Sequence, residues 1–348
     1  MSRAIERIWL ADGAGARLLT PLSWIFAAAV QARNLAYDLG LLRTRSLGVP
    51  TVSVGNLAVG GTGKTPVSAW VAGELRALGA SPAVLLRGYG DDEPLVHERL
   101  LPGIPVIADP DRVAAAARAR ARGANVLVLD DAFQHRRAAR DLDLVLVAAE
   151  QRDAHRMLPA GPLREGPRAL RRASLVIVTR KSASSAEAEA AAARWTGFAG
   201  APESVIIHLR PRDLRPADPA GDGRLALDAL GGRRVLAISA IGAPEAFEAQ
   251  LAAAGAVAES AAYPDHHPFT DAEVAALARR AASADLACCT LKDAAKLWAR
   301  WPRQGPPLWY LSQAVEVERG AAILRDALRR LVPGASPRAT RQPDPPVS

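Results

Sequence analysis

The sequence predicts an α/β fold: a doubly wound sheet, followed by a second, smaller α/β domain. Short apolar runs that suit buried strands alternate with helical stretches through the first 210 residues. The alternation resumes on a smaller scale after a polar stretch rich in proline and glycine. Of the 348 residues, 49% are hydrophobic and 23% are charged, the balance of a globular protein.

Individual elements follow from the apolar runs and the residues that bound them. In the first half we predict strands at 52–54, 82–86, 125–129, 142–147 and 174–178, and helices at 66–76 and 109–122. In the second half we predict strands at 234–240, 256–263, 286–291 and 307–311. Thr270 and Glu273 form a capping box that opens a further helix.

A glycine-rich stretch separates the strand ending at Val54 from the helical pattern that begins at Pro66. Lys64 and Thr65 follow Gly63 directly, the order found in a phosphate-binding P-loop, so the sheet is predicted to be P-loop NTPase-like. In such loops backbone N–H groups bind phosphates, the lysine reaches the β- and γ-phosphates, and the hydroxyl binds Mg²⁺. The predicted nucleotide-binding residues are Ala58, which replaces the first glycine of the motif, Val59, Gly60, Gly61, Thr62, Gly63, Lys64 and Thr65.

Two acids, Asp130 and Asp131, end the apolar strand at 125–129. An acid in this place of a P-loop protein holds Mg²⁺ directly or through water, and an aspartate after a strand can also cap a helix or turn. Together with the P-loop, the pair predicts a magnesium site, and the sequence leaves open which aspartate binds the metal. Gln134 follows closely enough to line the same crevice.

The formal net charge of +8 indicates anionic partners: a nucleotide, a nucleic acid or an acidic lipid surface, although a diffuse positive surface is the alternative. The two cysteines, Cys288 and Cys289, are neighbours in an apolar run, which favours a reducing compartment over a disulfide framework. The cysteines therefore predict a cytoplasmic protein. Among the anionic partners we expect a nucleotide and an acidic lipid surface, and no nucleic acid.

The N-terminal region carries an apolar run without charged residues from Leu18 to Ala32, and arginines follow it. The run is shorter than the about 20 residues of a membrane span. It predicts an amphipathic helix in the membrane interface, with Trp24 and Tyr37 at the headgroups. A helix packed on the domain core is the alternative.

P-loop proteins include GTPases, membrane ATPase switches and small-molecule kinases. No Asn-Lys-x-Asp run that reads guanine follows a strand, and 179–182 lacks the required aspartate. The switch ATPases carry a lysine just before the paired glycines, where this chain has Val59. A kinase is therefore the leading class, and a regulatory ATPase switch at the membrane is the alternative.

The motifs in order resemble those of the tetraacyldisaccharide 4′-kinases, the lipid A 4′-kinases of Gram-negative bacteria, from about residue 5 to 330. The matching segments are 21–24, 54–57, 60–66, 87–90, 92–94, 130–135, 158–165, 265–267 and 292–294. The resemblance implies transfer of the γ-phosphate of ATP, with Mg²⁺, to the 4′-hydroxyl of a tetraacyldisaccharide 1-phosphate, forming the 1,4′-bisphosphate (lipid IVA). It also implies a peripheral protein at the cytoplasmic face of the inner membrane.

Carried over from the family, the catalytic base is Asp92 and its partner is His266. A carboxylate oriented by an imidazole can take the proton of an attacking hydroxyl. The resemblance also suggests substrate-binding residues: Arg87, Tyr89, Glu93, Arg112 and Gln134. In the family a longer segment usually separates the Arg-Gly-Tyr-Gly motif from the Asp-Glu-Pro motif. Here the two motifs, at 87–90 and 92–94, are almost adjacent, so either Asp91 or Asp92 could take the position of the base.

The predicted organisation is a membrane-associating region at 1–45, a P-loop kinase domain at 46–210, a linker at 211–232, a smaller α/β domain at 233–332 and a disordered tail at 333–348. If His266 meets Asp92, the active site lies in a cleft between the two domains. The sequence leaves the acyl-chain preference and the oligomeric state open.

Overall fold

The computed structural model describes residues 17–88, 92–151, 156–198, 203–332 and 334, with Asp92 described by its backbone. The predictions for Tyr89, Asp91, residues 1–16 and nearly all of the tail lie outside these residues.

Helices alternate with most of the strands along the described chain. The α-helices are α1 (Thr20–Asp38), α2 (Lys64–Ala77), α3 (Asp92–Leu100), α4 (Arg112–Ala121), α5 (Ser185–Gly197), α6 (Pro244–Ala253), α7 (Asp271–Ala281), α8 (Leu291–Leu297) and α9 (Ala321–Arg329). Short 3₁₀ helices span Pro167–Arg172, Leu227–Leu230 and Trp298–Arg300.

The strands join into one 12-stranded sheet within the described residues. They are β1 (Thr51–Asn56), β2 (Pro82–Leu86), β3 (Val106–Ala108), β4 (Val126–Asp130), β5 (Leu142–Ala148), β6 (Leu175–Arg180), β7 (Ser204–Pro216), β8 (Leu225–Ala226), β9 (Arg234–Ser239), β10 (Val257–Ala262), β11 (Leu286–Cys289) and β12 (Leu308–Arg319). The order is β10-β9-β11-β12-β7-β6-β5-β1-β4-β2-β3, and β8 pairs with β7.

The strand order reverses at β1, which lies between β4 and β5 and is parallel to both. Val54 is paired with Asp130 of β4, so the two strands end side by side. In open parallel sheets, ligands bind beyond the strand ends at such a reversal. The predicted doubly wound sheet is confirmed, and its switch point coincides with the glycine-rich stretch.

Both faces of the central strands are covered, which explains why β1, β2 and β4 are buried along their whole length. Alternate residues of β4 point to opposite faces: Val126 and Val128 pack with α2 and α9, and Leu127 and Leu129 pack with α4. The same alternation directs Asp130 to the face that α2 covers.

A long antiparallel pair of strands, β7 and β12, joins the two parallel parts of the sheet. The start of β7 pairs with β6, and the start of β12 pairs with β11. The division of the chain into domains stays a prediction, but residues 211–216, assigned to the linker, belong to β7.

Helix α3 spans the two halves of the chain. It packs against α8, and the Arg99 guanidinium donates to the carbonyl oxygen of Pro216 (2.6 Å) and lies over the Tyr310 ring, 5.1 Å from its centroid. The helix that begins at Asp92 is thus fastened to the β7/β12 pair.

The predicted N-terminal helix is present as α1, and Ser23 alone among its residues is buried. The Ser23 hydroxyl donates to the Met157 carbonyl and accepts from the Ala160 N–H, both at 2.9 Å. The Asn34 amide donates to the buried Glu165 carboxylate (2.7 Å). In the described part of the chain, no helix combines the length and the apolar character needed to cross a membrane.

Opposite these polar contacts, α1 and its flanks leave a row of large apolar side chains in solvent. Trp24 and Ile25 are 69% and 67% exposed. The row, which we call the α1 apolar face, comprises Leu18, Leu22, Trp24, Ile25, Leu35, Leu39, Leu41 and Leu42.

Most element boundaries agree with the sequence prediction to within about two residues. The strand expected at 307–311 is wrong at its end: it continues to Arg319 as β12 because it pairs with β7. Two further boundaries differ because a side chain caps a helix. The strand expected at 286–291 ends at Cys289 because the Thr290 hydroxyl caps α8. The helix expected from residue 109 begins at Arg112 because the Asp111 carboxylate caps the first N–H groups. The predicted capping box of Thr270 and Glu273 is confirmed.

Candidate active site

Two glycines fix the path of the chain from β1 into α2. Gly63 is the N-cap of α2 with φ of 81°, a left-handed conformation that favours glycine. A Cβ on Gly55 would lie 2.6 Å from the Cβ and 2.7 Å from the backbone nitrogen of Phe133. The absence of a side chain at Gly55 therefore lets β1 approach Phe133, which follows the paired aspartates.

The N-terminus of α2 has the features of an anion site. Gly63 offers no side chain to cap the first N–H groups, and the first turn holds no acidic residue. The unpaired N–H groups and the helix dipole favour a negative ligand at this point.

Neighbouring strand ends hold the loop in place. The Asn56 amide donates to the Thr62 hydroxyl (2.9 Å), and the Thr179 hydroxyl donates to the Thr62 carbonyl (2.9 Å). The Lys181 ammonium donates to the Gly61 carbonyl (2.8 Å). Side chains from β1 and from the end of β6 thus hold the glycine loop open towards the switch point.

The segment 157–165 supports the loop from the other side. The Val59 N–H donates to the Pro162 carbonyl (2.8 Å), and the Arg164 N–H donates to the Leu57 carbonyl (2.7 Å). The Arg164 guanidinium donates to both oxygens of Asp131, at 2.8 and 2.9 Å. The segment therefore connects the glycine loop to an acid at the end of β4.

Lys64 faces Asp131 across the crevice, with 3.7 Å between the ammonium and the carboxylate. Burial lowers the pKa of Lys64, and the charge of Asp131 opposes this shift. Asp131 adopts φ of 49°, a strained conformation for a residue other than glycine, and such strain is concentrated at functional sites. An acidic and a basic group thus stand beside the anion site.

Asp130 is buried, and donors reach both its carboxylate oxygens. Ser68 of α2 donates to Oδ1 (2.8 Å), and His97 Nε2 lies 2.8 Å from Oδ2. Burial opposes ionisation, but the hydrogen bonds from His97 and Ser68 and the charge of Lys64 outweigh it, so the pKa of Asp130 is lowered. The carboxylate is therefore ionised at neutral pH.

The oxygen donors at this edge fit Mg²⁺. Thr65 is the second residue of α2, and Asp130 and Asp131 stand at the neighbouring strand end. Hydroxyl and carboxylate oxygens, completed by phosphate oxygens and water, are the ligands that Mg²⁺ prefers. In the described ranges no group of three or more His, Cys, Asp and Glu side chains could hold a metal by itself.

Of the predicted substrate-binding residues, Gln134 and Arg112 line the switch point. The Gln134 amide donates to the Asn56 carbonyl (2.9 Å), and the buried Arg112 donates to the Asp130 carbonyl (3.3 Å). Arg87 follows β2 on the surface, and Glu93 lies in the first turn of α3. These assignments stay predictions.

The two predicted catalytic residues lie on elements that are linked through α8. Asp92 is the first residue of α3, which packs against α8. Asp293 of α8 accepts from the Ala240 N–H (3.1 Å), and the Ala240 carbonyl accepts from the His266 N–H (3.1 Å). His266 has φ of 60° and a half-exposed side chain. Pairing of Asp92 with His266 stays a prediction.

Sequence reasoning missed four side chains of this site: Ser68, His97, Arg164 and Lys181. Ser68 lies one helical turn after Lys64, a spacing that could have placed it on the same face. Arg164 lies in the 158–165 motif, which gives it no role, and the segment 179–182 around Lys181 is informative only about guanine recognition. His97 carries no local signal, since its partner is 33 residues away.

The fold and site define a P-loop nucleotide-binding enzyme. Residues 15–92 and 90–332 match the tetraacyldisaccharide-1-P 4′-kinase family. The chain belongs to the tetraacyldisaccharide 4′-kinase family, and the resemblance drawn from its motifs is confirmed.

Similar proteins cover most of the chain. A tetraacyldisaccharide 4′-kinase of Anaeromyxobacter sp. (strain Fw109-5) is 41% identical over 329 residues, 84% of this chain and 87% of the relative. One of Syntrophus aciditrophicus (strain SB) is 38% identical over 87% of this chain and 90% of its own. The crystal structure of "apo" form LpxK from Aquifex aeolicus in complex with ATP matches with a TM-score of 0.74 and 28% identity, covering 91% of this chain and 99% of that chain.

The close approach at Gly55 yields a test of the site's geometry. Gly55→Ala should destabilise the protein by about 1–3 kcal/mol and weaken ATP binding, because the added methyl must displace the Phe133 backbone. Gly73→Ala is the matched control, since Gly73 lies inside α2 with no atom within 4 Å of the new Cβ. It should stabilise the fold by about 0.5–1 kcal/mol and leave ATP binding unchanged. Urea unfolding and calorimetric titration with ATP measure both; equal behaviour of the two variants would contradict the packing argument.

Proposed function

We propose that the chain transfers the γ-phosphate of ATP to the 4′-hydroxyl of a tetraacyldisaccharide 1-phosphate and so forms the 1,4′-bisphosphate. The observation that carries the proposal is the uncapped N-terminus of α2 with Lys64 beside the strand-end aspartates. Membership of the 4′-kinase family supplies the acceptor.

On the nucleotide side, the N–H groups at the start of α2 and the Lys64 ammonium bind the phosphates of ATP. Lys64 balances the charge on the γ-phosphate as it moves to the acceptor. Thr65, Asp130 and Asp131 would hold Mg²⁺, which neutralises charge on the phosphates when bound. Arg164 fixes the Asp131 carboxylate beside Lys64.

On the acceptor side, Asp92 takes the proton of the 4′-hydroxyl, and His266 orients and tunes its carboxylate. Asp92 begins α3, which is hydrogen-bonded to the second half of the chain through Arg99. In that half, the His266 N–H donates to the Ala240 carbonyl. Substrate bound between the halves would meet both groups. We retain Arg87, Glu93, Arg112 and Gln134 as candidate substrate-binding residues, together with Tyr89, which lies outside the described residues.

The lipid acceptor implies work at a membrane surface. The α1 apolar face is large and exposed, and arginines flank it at positions 33, 43 and 45. A helix of this kind lies in the interface with its apolar side in the acyl region and its basic groups on anionic lipid. We therefore place the protein peripherally, at the cytoplasmic face of the inner membrane.

The first test is transfer itself. Lys64→Ala and Thr65→Val should each lower transfer by roughly 10²–10³-fold, because they remove the charge on phosphate and the hydroxyl for Mg²⁺. Thr65→Ser keeps the hydroxyl and should retain most activity. Labelled γ-phosphate incorporation into tetraacyldisaccharide 1-phosphate is the measurement. Full activity of Lys64→Ala would refute the site; ATP hydrolysis without lipid phosphorylation in the unmodified protein would favour the ATPase switch.

The second test concerns the base. Asp92→Asn and His266→Ala should each lower kcat by roughly 10²–10⁴-fold with ATP affinity nearly intact, and the double variant should lose little more, because groups that act as a unit are not additive. Asp91→Asn is the control and should retain activity. If Asp91→Asn loses most of its kcat and Asp92→Asn loses little, Asp91 is the base instead. If the kcat losses of Asp92→Asn and His266→Ala multiply in the double variant, the two residues act independently.

The third test concerns the membrane. Replacing both Trp24 and Ile25 with glutamate should weaken binding to phosphatidylglycerol vesicles by at least about tenfold, because charge replaces buried apolar surface in the interface. Val257→Glu is the control, since Val257 is also an exposed apolar residue (61%) but lies on β10. Binding of the unmodified protein should fall as salt rises. Unchanged vesicle binding by the double variant would contradict the membrane role and favour a purely structural role for α1.

A further inference from the structure

Helix α3 carries a histidine with no exposed surface at the point where it meets the end of β4. His97 is 0% exposed, and its Nε2 lies 2.8 Å from Asp130 Oδ2. A buried imidazole costs free energy unless its polar atoms are used, and an apolar side chain of similar size could fill the same space. Among the described residues Nε2 makes this contact and Nδ1 has no hydrogen-bond partner, so the contact with Asp130 is what favours histidine over an apolar side chain here.

Asp130 connects three helices around the switch point. Its carboxylate accepts from Ser68 of α2 and meets His97 of α3, and its carbonyl accepts from Arg112 of α4. Because the carboxylate can only accept, the shared hydrogen with His97 lies on Nε2 of the imidazole. His97 is therefore the donor through which α3 holds the carboxylate.

The position of His97 along α3 gives the contact its functional weight. Asp92 is the first residue of the same helix, five residues earlier, which is about 7.5 Å along the axis. At the other end of α3, Arg99 is bonded to Pro216. The short helix α3 thus carries the proposed base, the hydrogen bond of His97 to a proposed metal ligand and the hydrogen bond of Arg99 to the β7/β12 pair.

We propose that His97 is a positioning residue that fixes the Asp130 carboxylate to helix α3 and thereby sets the metal side of the site against the base. The inference rests on the proposed function. The glycine loop does not depend on this contact, since Asn56, Thr179 and Lys181 hold it. Loss of the His97 donor should impair use of the metal and leave the binding of metal-free ATP intact.

Three substitutions separate the donor from the packing. His97→Leu fills the space without a donor, His97→Gln places an amide near the position of Nε2, and His97→Asn has an amide too short to reach it. Glu98→Gln, on the exposed side of the same helix, is the control. The readouts are the half-saturating Mg²⁺ concentration for transfer, Mn²⁺ binding to the protein–ATP complex by electron paramagnetic resonance, and ATP affinity in EDTA.

We expect His97→Leu and His97→Asn to weaken Mn²⁺ binding and raise the half-saturating Mg²⁺ concentration by roughly 10–100-fold, the effect typical of losing a group that orients a metal ligand. His97→Gln should recover most of the loss, and Glu98→Gln should match the unmodified protein. ATP affinity in EDTA should be the same in all.

Unchanged metal binding in folded His97→Leu would overturn the proposal, as would a His97→Gln variant no better than His97→Asn. If His97→Leu does not fold, the comparison of Gln with Asn decides alone. Failure of the unmodified protein to phosphorylate the lipid would refute the proposed function instead, and Mn²⁺ binding would still decide the role of His97.

Discussion

A negative charge removed from water must be stabilised by the protein itself, and the buried carboxylate of Asp130 imposes this requirement on the centre of the sheet. Its donors come from α2 and α3, so both helices must arrive at the end of β4 in a fixed orientation. The glycine loop enters α2 on the same side, and α3 begins at Asp92. The orientation of α2, which follows the glycine loop, and of α3, which begins at the proposed base, therefore depends on one ionised group.

The fold class and the nucleotide side of the site could be predicted because their signals are local. A strand, a glycine turn and Lys64-Thr65 are consecutive in the chain, and the apolar run before Asp130 is short enough to indicate a buried strand. Caps decided the details: Asp111 and Thr290 each moved a boundary that apolar periodicity alone placed elsewhere. Such competition between a side chain and the backbone is not visible in the hydrophobic pattern.

The contacts that hold the site together could not be predicted, since they depend on which strands become neighbours. His97 and Asp130 meet because the sheet order places β4 beside β2, after which α3 follows. Likewise, residues 211–232 are predicted to form a linker because the stretch is polar and rich in proline and glycine, yet pairing with β12 keeps 211–216 extended. Tertiary pairing outweighed local propensity there.

The segment 157–165 grips helix α1 through Ser23 and Asn34, and the same nine residues hold the glycine loop at Val59 and orient Asp131. Helix α1 and the phosphate site are consequently attached to the same segment of the chain. The distance and orientation of the phosphate site relative to any surface that α1 contacts are therefore set by this segment. With α1 on a membrane, as proposed, these contacts would set the distance between the phosphate site and the lipid headgroups.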